Sequence, residues 1–175
     1  SVKLYFMLGL PTETDEDVAG IAALARRVLD IYREVKGKRG AKVSVSVSSF
    51  VPKPHTPFQW FGQNDIAELE RKQQLLKNLF RDRSVSFSWH DARVSFLEAV
   101  FARGDRRLGE VLLAAWRRGA KFDGWSEYFR FDVWLDAFRA AGIDPHFYTG
   151  RERSADEVLP WDHLSAGVDK SFLRR

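Results

Sequence analysis

Hydrophobic and polar positions alternate in three short segments of the first half of the chain, and each segment predicts a β-strand. Residues 2–8 (VKLYFML) form a nearly continuous apolar run, typical of a strand covered on both faces of a parallel sheet. In residues 43–51 (VSVSVSSFV), valine and serine alternate strictly through Ser48. Residues 85–89 (VSFSW) alternate in the same way. The sequence therefore predicts three strands before residue 90.

Helical spacing of apolar residues separates these strands. The first helix is predicted to begin at Thr14, with Asp17 completing a capping pair, and to be ended by Gly37 and Gly40. Asn64 or Asp65 can cap the second helix. A helix of this length between two strands permits a right-handed crossover, which favours parallel pairing of the strands.

The serine face of the second strand leaves two interpretations open. In a barrel, the valine face would pack on outer helices, and small serine side chains would face the lumen and leave room for a ligand. An antiparallel strand with its serine face in water would show the same alternation.

After Asp91 the pattern predicts helices only: one over residues 94–101, one beginning at Asp105, and one from Ser126 to Ala141. Residues 146–175 are predicted to form short turns. We therefore divide the chain into an α/β part, residues 1–91, and a helical extension, residues 92–175.

The amino-acid composition excludes several kinds of site and leaves others open. The 175 residues include no cysteine, which excludes disulfides, thiolate metal sites and cysteine nucleophiles from this chain. The net charge of +4 suits either a mixed-charge surface in water or a nucleic-acid surface. No apolar run reaches eighteen residues, so no membrane span is predicted. A cytoplasmic location is expected. Strand-like sequence begins almost at Ser1, which suggests a fragment.

Five segments together resemble one family, the large radical S-adenosylmethionine (SAM) proteins that join a B12 (cobalamin)-binding-like N-terminal domain to a radical SAM barrel and a helical extension. The matching segments are KLYFMLGLPTETDEDV (3–18), SSFVPKPHTPFQW (48–60), ARGDRRLGEV (102–111), FDGWSEYF (122–129) and LPWDHLSAGVDKSFL (159–173).

This resemblance implies the C-terminal part of a TIM-like radical SAM barrel with parallel strands, followed by an α-helical extension. It implies a parent enzyme that cleaves SAM with a [4Fe-4S] cluster and uses the 5′-deoxyadenosyl radical on a substrate that the sequence does not identify. Cobalamin is a further candidate cofactor of the parent. The family's Cys-x3-Cys-x2-Cys loop lies upstream of the position that matches Lys3. This chain alone is therefore expected to be inactive, with the missing N-terminal half of the same polypeptide as its partner.

The resemblance also assigns cofactor-binding residues. The turn after the first strand would line the SAM adenosine pocket through Gly9, Leu10, Pro11 and Glu13. The residues alone fit a structural turn as well, with Glu13 favouring the positive end of the helix dipole.

At the end of the second strand, main-chain groups of Ser49 and Val51 would meet the adenine edge. In the loop that follows, Lys53 and His55 are candidates for contacting substrate or the SAM carboxylate. A histidine between prolines also suits a rigid loop residue that bonds to main chain.

Two further motifs keep alternatives open. The arginines of residues 103–107 (RGDRR) suit either phosphate binding at a helix start or ion pairs with Glu98 or Glu110. The aromatic stretch from Trp116 to Phe138 suits either base stacking or the core of the helical extension. The alternative function is accordingly a non-catalytic module that binds a protein partner or RNA.

Overall fold

The computed structural model describes residues 1–37 and 40–174. These residues form two compact units, which we describe separately. The first unit comprises Ser1–Phe50 and Asn64–Ser95, and the second comprises Val51–Gln63 and the chain from Phe96 onward.

The first unit is built on a three-stranded parallel sheet with strand order β1-β2-β3. Parallel pairing of the first two strands confirms the sequence prediction. A helix connects each strand to the next along the chain. The elements are β1 (Val2–Leu8), α1 (Asp15–Lys36), β2 (Val43–Ser49), α2 (Ile66–Leu79) and β3 (Val85–Trp89).

One face of this sheet carries the apolar core. Val43, Val45 and Val47 are buried and pack in one cluster with apolar side chains of α1 and with Leu76 of α2. Both helices thus cover the valine face, as the alternation predicts. On the other face, Ser44, Ser46 and Ser48 of β2 remain partly exposed. The sheet therefore has one covered apolar face and one open serine face.

The prediction that β1 is covered on both faces is wrong. Tyr5 is 73% exposed and Met7 is 43% exposed. Their Cα register partners are Ser46 and Ser48, so both residues lie on the open face. The apolar run of β1 is nearly continuous because apolar residues lie on both of its faces, although the helices cover only one face.

The second unit is helical apart from its loops. The helix α3 (Ala92–Ala102) begins in the first unit and continues into the second. It is followed by α4 (Leu108–Arg117), α5 (Phe131–Ala141), α6 (His146–Thr149) and α7 (Lys170–Leu173). The predicted start at Ser126 is five residues too early for α5, because Trp125 and Tyr128 lie in turns that precede the helix. Among the residues described, no helix is long and apolar enough to cross a membrane.

The proline-rich loop of residues 51–63 is bound tightly to the segment that follows α6. Arg153 N donates to Trp60 O at 2.8 Å, and Gln63 N donates to Thr149 O at 2.9 Å. A Cβ atom on Gly62 would lie 2.3 Å from the carbonyl oxygen of Gly150, so only glycine permits this approach. These contacts position the loop within the second unit.

Candidate functional site

The turn after β1 depends on glycine. Gly9 adopts a φ of +84°, a region that other residues rarely enter. A Cβ atom there would lie 3.0 Å from both Asn64 Oδ1 and Leu69 Cδ2. The volume that glycine leaves free is therefore bounded by the protein's own side chains near the start of α2.

The buried carboxylate of Glu13 stabilises this turn. Its carboxylate accepts hydrogen bonds from Gly9 N at 2.9 and 3.1 Å and from Lys72 Nζ at 2.7 Å. The Glu13 and Lys72 side chains are only 7% and 5% exposed, and Lys72 also donates to Asn64 Oδ1 at 3.3 Å. The pair thus links the turn to α2. Of the two interpretations of Glu13, the structural one agrees with these contacts.

The capping pair predicted at the start of α1 is confirmed. Thr14 Oγ1 accepts from Asp17 N at 3.2 Å, and Asp17 Oδ2 accepts from Thr14 N at 2.8 Å. The hydrogen bonds from the main chain and the hydroxyl of Thr14 lower the pKa of Asp17. The carboxylate therefore stays ionised and keeps the helix start in place.

A hollow of about 350 Å³ adjoins the turn. Leu10, Pro11 and Glu13 line it together with Phe6 and Ile21. The structure thus brings three of the predicted site residues to one concave surface at the β1 edge of the sheet.

The end of β2 lies beside the start of this turn. Leu8 and Ser49 are register partners, and Phe50 N donates to Leu8 O at 2.7 Å. Ser49 is buried, and its hydroxyl has no hydrogen-bond partner among the described residues. An unpaired buried hydroxyl is costly, so this strand end has unused hydrogen-bonding capacity.

Val51, Lys53 and His55 belong to the second unit. Val51 is buried, whereas the Lys53 ammonium is partly exposed and forms an ion pair with Glu98. His55 adopts a φ of +57°, and its N–H donates to Gln59 Oε1 at 3.1 Å. The hydrogen bond joins the main chain of His55 to the side chain of Gln59, so it holds the loop without using the imidazole.

The His55 side chain lines a hollow of about 580 Å³ in the second unit. Asp162 and Lys170, whose side chains are 2.7 Å apart, line the same hollow. Gln59, at its base, accepts a second hydrogen bond from Trp161 Nε1 at 2.7 Å. These contacts give the hollow a polar lining with one positive and one negative side chain already paired.

Arg103 has a role that sequence analysis missed. Its guanidinium is buried and donates to Thr149 O at 2.6 Å and to Arg151 O at 2.8 Å. Ion pairs with Glu98 or Glu110 are one alternative for the arginines of this motif, and Arg103 does not form them, because its guanidinium binds the carbonyl oxygens of Thr149 and Arg151 instead. Arg103 therefore links the end of α3 to the segment around residues 149–151 inside the second unit.

A second buried arginine, Arg153, adds to these contacts. Arg153 Nη2 donates to Arg103 O at 2.8 Å, and its guanidinium lies 5.1 Å from the ring centroid of Trp161. Burial, together with the charges of Arg153 and Arg151, lowers the pKa of Arg103 to about 10. Arg103 still carries its charge at neutral pH.

The donor atoms in this chain do not fit an iron–sulfur cluster. Cysteine thiolates are the usual cluster ligands, and the sequence has no cysteine. Within residues 1–37 and 40–174, no group of three or more His, Asp or Glu side chains is placed to hold a metal ion.

Comparison with known proteins finds a similar sequence in an archaeon. The chain is 32% identical over 111 residues to an uncharacterized protein of Methanocaldococcus jannaschii, an alignment that covers 63% of this chain and 23% of that protein. The chain thus spans less than a quarter of the length of this relative. No family model matches the sequence, and no solved structure matches it.

Proposed function

We propose that the first unit is a segment of a radical SAM barrel, and that its open sheet face forms part of a pocket for SAM. The parent would use the 5′-deoxyadenosyl radical on its substrate. The observation that carries this proposal is the one-sided sheet, in which two helices cover the valine face and the serine face is open.

The strand order supports a barrel segment. In an α/β barrel, successive parallel strands are neighbours and all helices lie outside, so the opposite face points into the lumen. A doubly wound sheet carries helices on both faces. The order β1-β2-β3 with α1 and α2 on one face agrees with the barrel arrangement.

The residues at the open face suit a nucleoside. The Ser46 hydroxyl can both donate and accept hydrogen bonds, as ribose hydroxyls require. The Ser48 hydroxyl donates to Phe6 O at 3.3 Å and can still accept a hydrogen bond. Leu10 and Pro11 add apolar surface just after β1, in a hollow at the edge of the sheet that also reaches Phe6. Barrel enzymes bind their ligands at strand ends of this kind. Glu13 acts as a positioning residue, because its carboxylate is engaged by Gly9 and Lys72.

The cluster and any cobalamin would have to be held by other parts of the parent. This chain's own contribution is to position the nucleoside and to exclude water from it. Lys53 and His55 remain candidates for contacting the substrate, and a cytoplasmic location remains a prediction.

SAM titration of the ¹⁵N-labelled chain tests this proposal. We expect weak binding, because losing about 4 kcal/mol of contacts to the rest of the pocket weakens binding roughly a thousandfold. Amide shifts should concentrate at Gly9, Leu10 and residues 48–50. Replacing Ser48 with leucine should abolish these shifts, since a large side chain would fill the open face near the strand ends.

Ser86→Leu provides the matched control. Ser86 lies near the start of β3, and its hydroxyl donates to Ser44 Oγ at 2.9 Å on the same open face. This variant should keep the shifts caused by SAM. Shifts confined to other residues, or no shifts with SAM at its solubility limit, would contradict the proposal.

A further inference from the structure

The loop between α4 and α5 exposes most of its aromatic side chains. Together with the last two residues of α4, Trp116 and Arg117, this loop comprises residues 116–130, which we call the aromatic loop. Trp116, Phe122, Trp125 and Tyr128 are 61%, 72%, 63% and 55% exposed. Core packing, one of the two interpretations of this stretch, therefore fails here, although it holds for Trp134 and Phe138 of α5, which are buried. Contiguous exposed aromatic residues usually mark a binding surface.

Main-chain hydrogen bonds order this loop, and the Phe122 and Tyr128 rings lie with their centroids 6.1 Å apart. Ala120 N donates to Ala115 O at 3.0 Å, and Phe129 N donates to Trp125 O at 3.1 Å. Phe122 adopts a φ of +61°, an unfavourable conformation for a bulky residue. The backbone thus holds its rings outward and accepts local strain, which commonly indicates a functional site.

Positive charges alternate with the exposed rings. The loop contains four basic residues and two acidic ones, Asp123 and Glu127. Arg130 Nη2 donates to Arg118 O at 3.2 Å, which fixes one guanidinium beside the end of α4. All four basic residues are exposed: Arg117, Arg118, Lys121 and Arg130. The surface therefore combines outward-facing rings with a net positive charge.

We propose that the aromatic loop binds single-stranded RNA. Unpaired bases stack on exposed aromatic rings, and the phosphates between them pair with flanking cations. The four exposed cations outnumber the two carboxylates of the loop, and this excess of positive charge favours a polyanion as the partner. This inference is independent of the proposed SAM pocket, because it concerns only residues of the second unit.

Fluorescence anisotropy with the full chain and a labelled single-stranded RNA of about fifteen nucleotides tests the stacking. The variant Trp116→Ala with Trp125→Ala should weaken binding by about 5- to 150-fold for each base that loses its ring. Phe172→Ala, which removes another exposed ring of the second unit, should leave the affinity unchanged. Circular dichroism should show that both variants remain folded.

A second pair of variants tests the charges. Arg117→Glu with Lys121→Glu should weaken binding and lower the slope of log affinity against log salt. Arg26→Glu with Arg27→Glu changes two exposed arginines of α1 and alters the net charge by the same amount. The net charge changes equally in the two double variants. A lower slope in the first variant alone would therefore show that the cations of the aromatic loop contact the phosphates.

Four results would overturn the proposal. These are no saturable binding at low salt, equal losses in a variant and its control, duplex RNA bound as tightly as the single strand, and self-association that the tryptophan variants abolish without any RNA binding. The last result would identify the loop as an interface between copies of the chain.

Discussion

The ion pair of Glu13 and Lys72 illustrates how a buried charge constrains its neighbours. Both side chains are removed from water, and their 2.7 Å contact offsets the loss of hydration only while both are present. Gly9 depends on the same carboxylate for its main-chain hydrogen bond. Loss of Lys72 should therefore affect the turn as well as α2.

We predict that Lys72→Met lowers the free energy of unfolding by about 3–5 kcal/mol, because it leaves the Glu13 carboxylate buried without its partner. Urea titration followed by circular dichroism measures this change. Lys77→Met, on the same helix, removes an exposed ammonium 5.9 Å from the Trp89 ring and should cost at most about 1 kcal/mol. Equal decreases in the free energy of unfolding of the two variants would contradict the role assigned to the buried pair.

Individual partners of this kind could not be predicted from the sequence. Glu13 and Lys72 are 59 positions apart, and Arg103 and Thr149 are 46 apart. Local pattern shows that a residue is charged, but it does not show which distant carbonyl or carboxylate meets it. Arg103 thus suggested surface chemistry, although its guanidinium is buried.

At the scale of helices and strands, the local sequence pattern is sufficient to predict several helix starts and strand faces. The Thr14–Asp17 pair begins α1 as predicted, and the alternation in β2 correctly separates the covered face from the open one. The start of α5 was missed because the aromatic loop has the apolar content of a helix. Its turns are stabilised by main-chain hydrogen bonds, which periodicity does not report.

The exposed edge of the sheet leads to a prediction about association. Within the described residues, β1 pairs with β2 alone, and Val2, Tyr5 and Met7 are exposed. Unpaired strand edges with apolar side chains promote contacts between chains. Size-exclusion chromatography over a concentration series should therefore show self-association.

Tyr5→Lys should reduce this association, because a charge on an edge strand opposes pairing with a second edge. Tyr32→Lys, which changes an exposed tyrosine of α1, should have no such effect. A monomer at every concentration tested would contradict the role assigned to the edge.

For the molecule as a whole, composition predicts what the chain will not bind. Incubation of the purified chain with iron and sulfide should yield no stoichiometric iron–sulfur absorbance, because it contains no cysteine to supply thiolates. Visible spectroscopy and iron analysis after desalting measure the outcome. Retention of about one cluster per chain would require ligands of another kind and would overturn this prediction.

The sequential strand order has a consequence for synthesis of the chain. Val2 of β1 pairs in register with Val43 of β2, and Val43 pairs with Val85 of β3. At a translation rate of about 5–20 residues per second, the ribosome needs about 2–8 seconds to add the residues that separate β1 from its partner. During that interval, the apolar segment of residues 2–8 cannot pair with β2. Slower translation would prolong the time in which a chaperone or a neighbouring nascent chain can bind it.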